Sequence, residues 1–226
     1  MKKNKTFIIA EAGVNHNGKI SIAKKLINSA KKIGADAIKF QIYKTENVIT
    51  RNAKLCDYQK NKKNKYSKSL FNLLKKLELS YKDFKYLSNY CKKKKIEFMC
   101  TADEIEGLNQ IKPYIKKIKI GSAELNDSFF LEKIAKLKKI TFLSTGLSNL
   151  KEIKKSLKIL IRSGLRKEKI YLLHCNSSYP SPDEDLNINV LKSFKKMFGE
   201  NIGLSDHSPK INSVILAVAL GAKVIE

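Results

Sequence analysis

The sequence predicts an α/β protein, a (β/α)8 TIM barrel truncated after its eighth strand. Three observations carry this expectation. Eight short segments are wholly apolar or alternate apolar with polar residues, seven of them are followed by apolar residues at helical spacing, and polar side chains recur where the strands end. Strands alternating with helices favour a parallel sheet, and eight repeats favour a closed barrel over an open doubly wound sheet.

The first strand is expected at residues 6–10, then a loop over 11–18, a helix over 20–33 stopping at Gly34, and a strand over 37–42. A longer insert follows, to about Ser80, with a polar tract over 59–67 and an extra helix around 70–77. Ser80-Tyr-Lys-Asp83 has capping-box spacing, with Asp where Glu is usual, and opens a helix to about Lys94. The alternation is then regular: strands over 97–101, 117–120, 140–144, 170–175 and 202–204, with helices over 104–111, 128–137, 150–163, 189–197 and 212–220. Residues 222–225 read as the last strand. No helix follows it, so residues 1–226 are expected to be a barrel fragment of a longer protein.

At 226 residues the chain can bury a full core, and its 42% hydrophobic content holds no run long enough to cross a bilayer. Met1-Lys-Lys-Asn-Lys5 is basic, but the apolar run over 7–10 is too short for a signal-peptide core, so a cytoplasmic location and no membrane partner are expected. Cys56, Cys91, Cys100 and Cys175 lie far apart without zinc-site spacing, and Cys100 and Cys175 sit in apolar runs as small hydrophobes; structural disulfides are not expected. The net charge of +25 invites a nucleic-acid reading. The lysines, however, are spread over the polar faces of most helices, and the arginines are only Arg51, Arg162 and Arg166. With no basic stripe interleaved with aromatics, no nucleic-acid partner is expected.

Function is read at the strand ends. The run Ile202-Gly-Leu-Ser205-Asp-His207-Ser208 delivers a hydroxyl, a carboxylate and an imidazole at the end of a buried strand, and His207 is taken as a metal ligand. The alternative is a plain turn, with Asp206 capping the helix that starts near Asn212. Lys39 and Lys119 lie inside apolar strands, where each ammonium either snorkels to the rim or meets an anion. With Thr101, Ser122, Ser144 and Ser205 they make a pocket for a phosphate and a carboxylate. Glu11, beside Gly13, can hold a substrate hydroxyl or amide or act as a base; alternatively it pairs with one of the many lysines. Gln41, Glu124 and Tyr179 also stand at strand ends. His16 sits in a turn and reads as structural, His174 as a hydrogen-bonded core histidine, and Gly121 and Gly146 as isolated glycines.

Seven blocks in order resemble the sialic acid synthase family, which includes legionaminic and pseudaminic acid synthases. They are Ile-Ile-Ala-Glu11-Ala-Gly-Val-Asn-His-Asn-Gly18, Gly34-Ala-Asp-Ala-Ile-Lys39-Phe-Gln41, Lys119-Ile-Gly-Ser122-Ala-Glu124, Leu143-Ser144-Thr-Gly146, Leu173-His-Cys-Asn-Ser-Ser-Tyr179-Pro180, Gly203-Leu-Ser205-Asp-His207, and Ala217-Val-Ala-Leu-Gly-Ala-Lys-Val-Ile-Glu226. The resemblance implies a barrel that joins C3 of phosphoenolpyruvate (PEP) to the aldehyde of an N-acylated aminosugar such as N-acetylmannosamine. Water then adds at C2 and phosphate is lost. It implies a divalent ion, Mn2+ or Mg2+, with His207 matching one of two metal-binding histidines; the other belongs to a Lys-His-Phe segment that follows Val-Ile-Glu in the family. It places Lys39, Thr101, Lys119, Ser122, Ser144 and Ser205 around PEP. Glu11, Gln41, Glu124 and Tyr179 fall around the sugar, with Glu11 and His207 as the catalytic pair.

Two departures stand out. Cys100-Thr101-Ala102-Asp103 replaces the commoner Ser-Thr-Pro-Phe, and Ser177 stands where some members have asparagine. The family's last helix and its small C-terminal antifreeze-like domain, which reaches over the neighbouring subunit's cleft, have no counterpart in these residues. A homodimer is therefore expected of the full-length form and poor activity of this piece. The other readings are a different PEP-condensing barrel that makes a deoxy-sugar acid, and a basic binding domain without catalysis.

Overall fold

In a computed structural model, residues 5–55 and 69–226 are described, and eight parallel strands follow one another in chain order around a closed barrel, β1 to β8. The expected polar tract and Cys56 fall outside the described residues. The chain divides into two compact units, one of residues Glu11–Ile115 and one of Met1–Ala10 with Lys116–Glu226.

In the first unit, β1 (Phe7–Gly13) ends, followed by α1 (Ile20–Lys32) and β2 (Ala37–Ile42). The insert holds α2 (Thr45–Val48) and α3 (Leu70–Leu77), then come α4 (Tyr81–Lys94), β3 (Glu97–Ala102) and α5 (Ile105–Ile111). β2 and β3 pair in parallel from Ala37↔Glu97 to Ile42↔Ala102, a register that buries Phe40 stacked on Phe98 at 6.0 Å between ring centroids. α1 buries Ala23, Ile27 and Ala30, and α4 buries Phe84, Leu87 and Cys91, each at the three- and four-residue spacing of one helix face. The capping box at Ser80 forms as its spacing predicts, with Asp83 accepting from the Ser80 backbone N–H at 2.9 Å.

The expected bounds are corrected at two strands of this unit: β3 runs one residue further, to Ala102, and β1 further still. β1 runs to Gly13, so Glu11 is part of a strand and not of the loop after it. The four-residue helix α2 is also new, too short to show any periodicity.

The second unit carries β4 (Lys117–Ile120), α6 (Ser128–Lys136), β5 (Ile140–Ser144), α7 (Leu150–Arg162) and β6 (Ile170–Cys175). α8 (Val190–Phe198), β7 (Ile202–Ser205), α9 (Asn212–Ala219) and β8 (Val224–Ile225) complete it. β7 runs one residue past its expected end and so includes Ser205. β8 pairs with β7 on one side and with Phe7 and Ile8 of β1 on the other. The approach at β7 is tight: a Cβ on Gly203 would lie 2.4 Å from the Val224 carbonyl oxygen and 2.6 Å from Leu173 Cδ2. Cys91, Cys100 and Cys175 are free thiols, and no helix among the described residues is long and apolar enough to cross a membrane.

Candidate functional site

Each unit gathers sequence-predicted residues at its strand ends. In the first, successive strands meet in the order set by their register. Lys39 on β2 donates a 2.9 Å hydrogen bond to Thr101 Oγ1 on β3, and it pairs with Glu11 Oε2 on β1 at 2.8 Å. Lys39 is only 5% exposed. Of its two predicted fates, snorkelling is excluded and the anion is Glu11, which itself remains 42% exposed. One rung further along, Gln41 Nε2 donates to Asp103 Oδ2 at 2.7 Å. His16 is buried, with Nδ1 accepting from the Gly18 N–H and its ring 6.1 Å from that of Phe40; Nε2 has no partner among the described residues. Burial lowers the His16 pKa, which suits the structural reading.

In the second unit, Lys119 is also 5% exposed and has two loose partners, the Ile120 carbonyl oxygen at 3.2 Å and Glu226 Oε2 at 3.4 Å. The Cys175 thiol, at the end of β6, donates to the Asn176 carbonyl oxygen at 3.4 Å, with the hydroxyls of Ser205 and Ser122 near it. Burial raises its pKa and only partly yields to the Lys119 ammonium and these hydroxyls, so it stays a neutral thiol. Ser144 is 1% exposed and its Oγ has no hydrogen-bond partner among the described residues. A buried hydroxyl without a partner costs about 1–3 kcal/mol, which a ligand would recover. Gly146 is now explained. A Cβ there would lie 2.7 Å from both Ser122 Oγ and Ser177 Oγ, so two hydroxyls converge over a bare backbone. Gly121 plays the same part for Glu124, whose Oε2 would be 2.4 Å from an added Cβ. Burial raises the Glu124 pKa against backbone N–H groups and Lys119, which lower it.

His207 is held from both sides. Its Nδ1 lies 2.7 Å from the Asn176 carbonyl oxygen, which can only accept, so Nδ1 carries the hydrogen. Nε2 keeps its lone pair and receives the Tyr179 hydroxyl at 2.8 Å, the two rings stacking with centroids 3.9 Å apart. Burial pushes the His207 pKa down, keeping the imidazole neutral. Of the plain-turn alternative, half holds. Asp206 organises the turn by accepting from the Ser208 N–H and from the Ser213 hydroxyl, but no side chain caps α9.

His174 bonds the Leu186 carbonyl oxygen through Nε2, as expected of a core histidine. Sequence reading passed over Glu226, Cys175 and Asp103. Glu226 follows the apolar run of β8 as His207 follows that of β7, and the same rule would have found it.

The family's divalent ion fits what His207 offers: a neutral imidazole oriented by a backbone carbonyl, whose Nε2 could bind a cation in place of the Tyr179 hydroxyl. Among the described residues no group of three or more His, Cys, Asp or Glu is placed to hold a metal, so the fit extends to this one ligand.

A family model described as NeuB family matches residues 26–226. The N,N'-diacetyllegionaminic acid synthase of Campylobacter jejuni subsp. jejuni serotype O:2 is 43% identical over 223 residues, 98% of this chain and 66% of that protein. A protein of the same name from Legionella pneumophila is 36% identical, over 97% of this chain and 62% of its own length. The chain thus spans less than two thirds of the length of these relatives. Among solved structures, the N-acetylneuraminic acid (sialic acid) synthetase of Leptospira borgpetersenii in complex with citrate superposes with a TM-score of 0.84 at 35% identity, covering 99% of this chain and 72% of that one.

Proposed function

Because this chain belongs to the NeuB family, we propose that it condenses PEP with N-acetylmannosamine or a related N-acylated aminosugar to give a sialic acid-type nonulosonic acid and phosphate. The observation that carries the reading is the pair of strand lysines. An ammonium that is 5% exposed inside an apolar strand is costly unless it serves an anion. Lys119 holds its present partners at 3.2 and 3.4 Å, loosely enough to turn its N–H groups to a ligand. The Ser144 hydroxyl, without a partner among the described residues, and those of Ser122 and Ser205 would supply neutral donors to the same anion.

In the reaction a bond forms between C3 of PEP and the aldehyde carbon, and the aldehyde oxygen becomes a hydroxyl. Water adds at C2, and the resulting carbon collapses to a ketone as phosphate leaves. Lys39 with Thr101, and Lys119 with Ser122, Ser144 and Ser205, bind the anionic groups of PEP. Gln41, Glu124 and Tyr179 bind the sugar. Glu11, whose carboxylate stays exposed beside Lys39, accepts a proton from the incoming sugar or water or returns one. Burial holds Glu124 protonated to higher pH than an ordinary glutamate, which suits it to donate a hydrogen bond. A divalent ion, Mn2+ or Mg2+, held by His207 would polarise the sugar aldehyde and stabilise the developing alkoxide. The proposal extends to a longer, homodimeric, cytoplasmic protein, in which the segment after Val-Ile-Glu226 brings the final helix, the second metal-binding histidine and the C-terminal domain.

Phosphate release tests this reading. Release from PEP with N-acetylmannosamine or a diacetamido sugar, and none with arabinose 5-phosphate or erythrose 4-phosphate, is the expected result. The reverse preference would place the chain with other PEP-condensing barrels.

A further inference from the structure

Within the first unit, β2 and β3 build two cross-strand contacts one rung apart. Their register sets Lys39 opposite Met99 and Gln41 opposite Thr101, so each side chain reaches two residues along the neighbouring strand, Lys39 to Thr101 and Gln41 to Asp103. Asp103 lies one residue beyond the end of β3. Its backbone N–H still bonds the Ile42 carbonyl oxygen at 3.2 Å, extending the ladder and keeping its side chain on the face that carries Thr101.

An aspartate here changes what Gln41 can say to a ligand. A free carboxamide can turn over and present either a donor or an acceptor. A carboxylate only accepts, so at 2.7 Å it takes the amide nitrogen and fixes the carbonyl oxygen as the outward end. Among the described residues nothing donates to Gln41 Oε1. The rung after Lys39 and Thr101 therefore presents an acceptor backed by a negative charge.

We propose that Asp103 is a specificity-determining residue for the aminosugar: by locking the Gln41 amide it selects a neutral group that donates an O–H or N–H hydrogen bond and disfavours an anionic substituent. This rests on the synthase reading, and it separates the substrates by charge, with unphosphorylated aminosugars preferred over sugar phosphates.

The test is calorimetric titration of the chain with PEP, N-acetylmannosamine and N-acetylmannosamine 6-phosphate, for the unaltered protein, Asp103→Asn, Gln41→Ala and the double variant. Asp103→Asn is nearly isosteric and frees the amide to turn over. It should weaken N-acetylmannosamine about tenfold, the scale of one hydrogen bond lost to a charged group, and shrink the preference over the phosphate by a similar factor. PEP affinity should stay within about twofold. Gln41→Ala should shrink the same preference, and the double variant should do little more than either single one.

An unchanged preference, equal losses for sugar and PEP, or full additivity of the two substitutions would overturn the inference. Binding of PEP but of neither sugar would overturn it while leaving the PEP site standing. Failure of the unaltered chain to bind PEP would remove the synthase reading and this inference with it.

Discussion

Glu78, 9% exposed, accepts hydrogen bonds from Lys44, from the backbone N–H and hydroxyl of Thr45, and from Lys75, tying α2 to the end of α3. Burial alone would raise its pKa, but these donors outweigh burial and bring it to about 2. A carboxylate whose folded pKa lies below its ordinary 4.5 stabilises the fold above that value and ceases to as pH falls through about 2. Glu78→Gln should cost on the order of 2–3 kcal/mol at neutral pH. In urea denaturation, the gap between variant and unaltered chain should close as pH drops from about 4.5 towards 2; a gap independent of pH would contradict the assignment. At Lys119, substitution by alanine should raise the PEP requirement far more than the sugar requirement in steady-state kinetics. Equal effects would mark a structural lysine. Both strand lysines could be read from the sequence because a charge inside an apolar run is visible in one dimension. Their carboxylates could not: Glu11 and Glu226 are 28 and 107 residues away, and only strand order brings them in.

Among the elements, most strands and helices were legible because they satisfy a local rule. β2, β4, β5 and β6 begin and end where their apolar runs do. β1 was read short because Glu11 broke its apolar run; the strand continues through that charge because the side chain remains exposed and meets Lys39. Helix ends followed the capping chemistry at Ser80, whereas α2 is held by Glu78 from outside its own sequence and left no local signal. Gly203 is the most demanding single position in a strand, with a backbone carbonyl and a leucine methyl in the space a side chain would need. Gly203→Ala should therefore cost about 1–3 kcal/mol or more by overpacking, read as a lower urea midpoint with an unchanged slope. Wild-type stability would show that β7 and β8 can part at no cost.

Across the whole molecule, the charge of +25 and the site draw on different lysines. Those on α4 and α7 crowd the polar faces of helices, where they are solvated and steer anions weakly. Lys39 and Lys119 are buried inside strands, one in each unit, and the proposed anion chemistry rests on them. The order of eight strands was legible from alternation alone. The identity of the sugar was not, because it depends on side-chain pairs such as Gln41 with Asp103, whose meeting is set by register. In the proposed reaction PEP loses phosphate by joining its carbon to a sugar, and carbon-13 NMR of a reaction with PEP labelled at C3 reads that directly. The label is expected in a methylene group bonded to a new carbinol carbon of the aminosugar product. Label recovered only in pyruvate, with phosphate released at the same rate whether or not sugar is present, would contradict it.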